Sequence, residues 1–202
     1  MEPVVFRVSI SRWITDGWNV FLKELGTFAL IGALSTVLLH IPFLWGPVWA
    51  AMLYAASRLV ERGRATANDY FDGFKFFLPA LLASLIAGIL SLIGLILLIL
   101  PGLIIITMYL FTPLFICEQK MDFLEAMAAS RKMVSRDYLG YTLFMLTLLL
   151  LNLLGMAFFY VGLVFTLPVS ACAMALAYRE ALGLPVFSPG SAPDTAGPIV
   201  VE

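Results

Sequence analysis

Residues 78–116 read LPALLASLIAGILSLIGLILLILPGLIIITMYLFTPLFI. These 39 residues carry no charge and are interrupted near the middle by Pro101-Gly102. About 20 apolar residues in a helix cross the ~30 Å hydrocarbon core of a bilayer, whereas one helix of this length would reach about 58 Å. The stretch therefore holds two membrane segments. Proline has no backbone N–H to donate, and glycine relieves the sterics of a turn. Pro101-Gly102 are accordingly expected at the tip of a helical hairpin; the competing arrangement is one long tilted helix kinked there.

The rest of the chain repeats this pattern. Residues 26–45, GTFALIGALSTVLLHIPFLW, lead through Gly46-Pro47 into VWAAMLYAAS. Residues 141–160, YTLFMLTLLLLNLLGMAFFY, lead through Val161-Gly162 into LVFTLPVSACAMALAY. The expectation is an all-α integral membrane protein with six transmembrane helices arranged as three hairpins. Composition agrees: the 202 residues are 62% hydrophobic and only 12% charged, about half the charged share of a soluble domain. The mean hydropathy is +1.00.

Charge placement sets the orientation. Arg7, Arg12 and Lys23 precede the first segment, and Arg58, Arg62, Arg64 and Lys75 lie between the second and third. Lys120, Arg131, Lys132 and Arg136 lie between the fourth and fifth, and Arg179 closes the sixth. The three hairpin tips carry no basic residue. Positive loops stay cytoplasmic, so both termini are expected inside. The N-terminal MEPVVFRVSISRW lacks the basic, apolar and small-residue order of a signal peptide. Segment 2 is short, because VWAAMLYAAS gives only ~15 Å of helix between Pro47 and Arg58. Either Arg58 snorkels to the cytoplasmic face or the first hairpin does not fully cross.

The chain also repeats in letters. DGW at 16–18 and DGF at 72–74 are offset by 56, and the same offset pairs Phe21 with Phe77, Gly46 with Gly102 and Met52 with Met108. A third copy follows in pattern, its tip displaced by four further residues. The units run about 7–63, 64–119 and 120–180 within a single helical domain, 1–182. Each opens with an amphipathic stretch. Trp13, Ile14, Gly17, Trp18, Phe21 and Leu22 form one apolar stripe; Tyr70, Phe71, Phe74, Phe77 and Leu78 form the second. Phe123, Ala126, Met127, Ser130, Met133 and Val134 form the third. Spacings of three and four mark helices with one apolar face, suited to the cytoplasmic membrane interface or to packing on one another as a cap. Gly17 and Gly73 are read as close-packing positions in these helices. Residues 183–202, rich in Pro, Gly and Ser, are expected to form a flexible cytoplasmic tail.

The segment LPGLIIITMYLFTPLFICEQKMDFLEAMAASRKMV resembles the YciC-like integral membrane proteins of bacteria. It is also similar to the membrane domain fused to some glycerophosphodiester phosphodiesterases. The shared pattern is carried by Pro101, Gly102, Pro113, Glu118, Glu125, Ala126, Ser130 and Lys132, and the likeness covers roughly residues 5–182. It implies a helical membrane domain. It does not imply the phosphodiesterase activity, whose catalytic domain has no counterpart in these 202 residues.

Little in the sequence points to chemistry. No Ser-His pair, aspartate pair or HExxH motif falls within the apolar segments, so an enzyme is not expected. The cysteines, Cys117 and Cys172, are far apart and form no CxxC, and no metal or cofactor is expected. His40 reads as an interfacial histidine beside a tip. Asn152 is the most polar residue well inside a segment, and interhelical hydrogen bonding accounts for it. Pro113 and Pro168 interrupt segments 4 and 6, as plain kinks or as the broken helices of a substrate site. Arg58, Arg131, Lys132 and Arg136 are candidate contacts for lipid headgroups, or simply determinants of topology. A net charge of −1 leaves no basic field for nucleic acid. The expected function is a scaffold or accessory subunit whose partners are membrane lipids, with another membrane protein or self-association as further partners. The alternative is a transporter or channel for a lipid or small apolar solute, using the kinked segments 4 and 6.

Overall fold

A computed structural model of the chain describes residues 9–97, 99–157 and 161–186. Among these residues the fold is all-helical. The order is α1 (Ile10–Lys23), α2 (Leu25–Leu38), a 3-10 turn at Pro42–Leu44, α3 (Trp45–Arg62), α4 (Ala67–Gly73), a second 3-10 turn at Phe74–Phe76 and α5 (Phe77–Leu97). It continues with α6 (Ile99–Met108), α7 (Thr112–Gln119), α8 (Phe123–Val134), α9 (Tyr138–Ala157) and α10 (Leu163–Ala181).

Four helical stretches are long and apolar enough to cross a membrane: Ala67–Gly94, Gly102–Gln119, Tyr138–Ala157 and Leu163–Ala181. A fifth is added if α1 and α2, bent by 104° at their junction, are taken together as one broken span. The expected six are not reached, and the shortfall lies in the first hairpin. Its first arm, α2, has 14 residues, or about 21 Å of helix. Its second arm, α3, ends in Arg58, Glu61 and Arg62 and is largely enclosed by protein. A helix whose surroundings are protein need not be uniformly apolar.

The Gly46-Pro47 pair falls beside the first turn rather than on it. Gly46 and Pro47 lie in the first turn of α3, behind a turn at residues 39–44. Pro101 and Gly102 lie in the first turn of α6; residue 98, between α5 and α6, lies outside the described residues. Proline is tolerated there because the first turn of a helix has no intrahelical use for its N–H groups. α5 and α6 pack side by side, which makes the 39-residue stretch a hairpin and not one kinked helix. Gly94 and Gly102 permit the close approach, since a Cβ on Gly94 would lie 2.9 Å from Gly102 Cα. Gly162 caps the start of α10, and a Cβ on it would fall 2.4 Å from the Gly155 carbonyl oxygen. Residues 158–160 at that third tip lie outside the described residues.

The two prolines expected to interrupt helices behave differently. Pro113 opens α7 after a true break at residues 109–111. Pro168 sits inside α10 without ending it. Its missing N–H frees the carbonyl of Val164 four residues earlier. Gly32 of α2 comes against that carbonyl so closely that a Cβ on it would lie 2.1 Å from Val164 O.

The three units close on one another. α4 packs on α3 of the preceding unit, α8 on α7 of the preceding unit, and α1 on α10 of the last, so the three contacts form a ring. Glycine sets two of them. A Cβ on Gly17 would lie 2.9 Å from the Ala173 backbone nitrogen, and one on Gly73 would lie 2.5 Å from Ala51 Cα. The centre of each amphipathic stripe is thus occupied by protein. Trp13, Gly17 and Phe21 are buried, while Trp18 and Leu22 on the edge of the same stripe are exposed. The third stripe buries Ala126, Met127, Ser130, Met133 and Val134. The second amphipathic helix is not a separate interfacial element, because α4 runs through its 3-10 turn into α5 as one 28-residue helical stretch.

The start of the expected tail is folded back. Leu184 N–H donates to the Arg179 carbonyl at 2.8 Å, and Leu184 and Val186 pack on the core. The remainder, 187–202, lies outside the described residues.

Candidate functional site

The returning arms of the three hairpins, α3, α7 and α10, bring their charged ends together. Arg179 of α10 is 4% exposed. Its Nη1 donates to Glu118 Oε1 of α7 at 3.0 Å and to Ser57 Oγ of α3 at 3.2 Å. Its Nε donates to the Pro185 carbonyl at 2.9 Å, and its Nη2 stands 3.9 Å from Glu61 Oε1 of α3. Glu61 also accepts from Arg58, whose other Nη donates to Tyr54 at 2.8 Å. Gln119 donates to the Tyr178 hydroxyl at 3.0 Å beside an edge-on contact of Phe115 with the Tyr178 ring. Arg62 Nε also stands 3.9 Å from Glu61 Oε2, so three arginines gather about two glutamates.

Burying an ion pair costs several kcal/mol per charge unless further hydrogen bonds satisfy it. Here one planar guanidinium meets a carboxylate, a hydroxyl and a carbonyl on three different segments. That fork geometry suits arginine and not lysine. The cluster ties three helices at one end of the bundle. A second tie lies on the far side of α10, where Glu180 accepts from Arg12 and from the Trp13 indole N–H of α1.

The sequence reading had these residues but not their meeting. Glu118 stood as a signature position, Arg58 as a headgroup contact and Arg179 as a topology determinant. The repeat carried the missing signal. An offset of 56 takes Arg62 to Glu118, and an offset of 60 takes Gln119 to Arg179, so Glu61, Glu118 and Arg179 fall within one residue of equivalent places.

The other signature residues are spread along α8 and its contacts. Ser130 is fully buried in the gap between α6 and α7. Its hydroxyl donates to the Met108 carbonyl at 2.7 Å and accepts from Phe111 N–H at 3.2 Å. Ala126 is buried, while Glu125 and Lys132 are exposed at opposite ends of the helix.

Among the candidate headgroup contacts, Arg131 and Lys132 are exposed on the last turn of α8. Arg136 donates to the Ala181 carbonyl at 3.4 Å. Arg58 is held by Glu61 and Tyr54, with its guanidinium 4.7 Å from the Tyr54 ring centre. Asn152 Nδ2 donates to the Leu148 carbonyl at 2.8 Å within α9 and to Ser170 Oγ of α10 at 2.9 Å.

An open apolar groove of about 350 Å³ lies between α2 and α4, lined among others by Leu30, Leu34, Val37 and Phe71. Asn152 is not part of it. Among the described residues no three His, Cys, Asp or Glu side chains are grouped closely enough to hold a metal ion. No protein-family model, curated protein or solved structure matches this chain. The geometry shows several apolar helices of membrane-crossing length, tied at one end by an ion cluster.

Proposed function

We propose that this chain is a non-enzymatic, multi-pass protein of the bacterial inner membrane, acting as a scaffold or accessory subunit that contacts lipids or other membrane proteins. Both termini are cytoplasmic in this reading, in accord with the basic residues flanking the hairpins. The three hairpins supply six membrane-embedded segments, and the YciC-like resemblance belongs to the same reading.

One observation carries it. The one charge buried in the bundle among the described residues, Arg179, is met by the half-buried Glu118 and Glu61, and Glu61 in turn holds Arg58, while the outward faces are apolar. Leu78, Leu85, Leu92, Leu149 and Leu153 are all more than half exposed. A face of that kind is soluble in lipid or against another apolar helix. Arg131 and Lys132 add a polar contact suited to anionic headgroups.

A transporter reading would use the broken fourth segment. That gap is closed by Ser130, and the most polar group of segment 5, Asn152, already bonds to α10. Both observations count for the scaffold.

Extraction in native lipid discs without detergent, followed by mass spectrometry, tests the proposal. A stoichiometric partner protein, or one lipid enriched well above the bulk membrane, is the expected result. Bulk lipid alone would remove the scaffold reading, and turnover by the pure protein would overturn its non-enzymatic part.

A further inference from the structure

The first hairpin is short against a ruler that the fold itself provides. α3 packs against the α4–α5 stretch in the opposite chain sense, and two close contacts show where it lies along it. Gly73 lies against Ala51, and a Cβ on Gly46 would fall 2.1 Å from Ser84 Oγ and 2.9 Å from the Ala80 carbonyl oxygen. The start of α3 is therefore level with Ser84, seven residues into α5. From Ser84, α5 continues to Leu97, thirteen residues or about 20 Å further. The uncharged α5, with 21 residues, is about as long as a bilayer core is thick.

The turn joining α2 to α3 thus ends beside the inner third of a membrane-crossing helix. Its side chains are apolar and unusually open: Phe43 is 75% exposed, Trp45 59% and Ile41 48%. No charged residue occurs from Leu25 to Ser57. Polar ring atoms of the turn are engaged within the hairpin: His40 Nδ1 is 2.9 Å from the Thr36 carbonyl oxygen, and the Trp45 indole N–H donates to the Leu39 carbonyl.

We infer that the first hairpin is re-entrant: it enters and leaves on the cytoplasmic side, and its aromatic tip, Ile41, Phe43 and Trp45, is seated in the hydrocarbon of the bilayer against lipid acyl chains. Arg58 then needs no snorkelling, because α3 rises only part of the way and its charged end stays with Glu61 outside the core. The apolar tip gains by burial what a water-exposed turn would lose, and the hairpin's backbone is helical or turn-bonded almost throughout, as a lipid-facing segment requires. The outer leaflet beside α5 is filled by lipid and not by α2 and α3.

This inference rests on the membrane reading above, and its test separates the two. Phe43→Cys and Val161→Cys are made singly, the latter at the tip of the third hairpin where the side chain is 65% exposed. The native Cys117 and Cys172 are buried and form the unreactive background. Intact cells and inside-out vesicles are treated with a membrane-impermeant maleimide. Val161→Cys is expected to label from outside, while Phe43→Cys resists from both faces and labels only after denaturation. A fluorophore attached to the introduced thiol of purified Phe43→Cys protein, then returned to vesicles, is expected to be quenched more by nitroxides deep in the acyl chain than by nitroxides at the headgroup. Labelling of Phe43→Cys from outside at the rate of Val161→Cys, or stronger quenching from the headgroup, overturns the re-entrant hairpin while leaving the membrane reading intact. Failure of Val161→Cys to label from outside overturns the orientation on which both rest.

Discussion

The hydroxyl of Ser130 accepts a hydrogen bond from the backbone N–H of Phe111, 19 residues earlier in the chain, at 3.2 Å. The same oxygen donates to the Met108 carbonyl. One side chain on α8 therefore satisfies both loose ends of the break between α6 and α7. A broken helix inside a membrane bundle is tolerated only where protein repairs its backbone bonds. Ser130→Ala would leave a buried N–H and a buried C=O without that partner, a loss of about 1–3 kcal/mol. Thermal unfolding in detergent micelles is expected to show a clear drop in midpoint. An unchanged midpoint would mean that water or a neighbouring group already serves the break.

A second prediction concerns the ion cluster. Arg179→Met removes the cation from Glu118 and Glu61 and the fork from Ser57 and Pro185. Breaking one partner of a buried pair costs about 3–5 kcal/mol, because the other charge is left uncompensated. Adding Glu118→Met is expected to recover a large part of that loss. A double-mutant cycle on unfolding free energy checks this. Simple additivity of the two substitutions would show that Arg179 and Glu118 do not depend on each other.

The glycines divide into two classes with opposite expected outcomes. Gly73→Val and Gly32→Val drive side chains into the Ala51 backbone and the Val164 carbonyl, where even a Cβ would lie at 2.5 and 2.1 Å. Both are expected to fail to give folded, monodisperse protein. Gly26→Ala and Gly88→Ala meet nothing within 4 Å. Each is expected to be neutral or to stabilise its helix by up to ~1 kcal/mol. Size-exclusion profiles of the four variants after identical extraction separate the classes. Normal profiles for Gly73→Val and Gly32→Val would show that the helices can slide apart without loss.

Much of this architecture is legible in the chain because membrane helices announce themselves by apolar runs. The stripe on α8 could be read residue by residue, since it buries Ala126, Met127, Ser130, Met133 and Val134. The length of the first hairpin could not. Its composition passes for two crossings, and only the pairing of Gly46 with Ser84 reveals how far α3 reaches. Tip positions were read from Pro-Gly pairs, but proline is equally at home in the first turn of the returning helix, which is where Pro47 and Pro101 stand. The meeting of Glu61, Glu118 and Arg179 depends on three segments spread over more than a hundred residues. Periodicity describes a face of one helix; it does not say which faces meet.

The last prediction separates two kinds of basic residue that the sequence grouped together. Arg58 is engaged by Glu61 and Tyr54, whereas Arg131 and Lys132 are exposed on α8 with no ion pair among the described residues. A basic side chain near an anionic membrane surface is worth about 1 kcal/mol, roughly fivefold in binding. The pair Arg131→Gln and Lys132→Gln is expected to lower the ratio of anionic to zwitterionic lipid carried through purification several-fold, with the unfolding midpoint little changed. Arg58→Gln is expected to do the reverse, lowering the midpoint through loss of its bond to Glu61 while leaving the lipid ratio near that of the unaltered protein. Lipid mass spectrometry and thermal unfolding on the same preparations read both effects. If Arg58→Gln were the variant that shed anionic lipid, its guanidinium would be facing headgroups, and the partnership with Glu61 and Tyr54 would not describe the protein in its membrane.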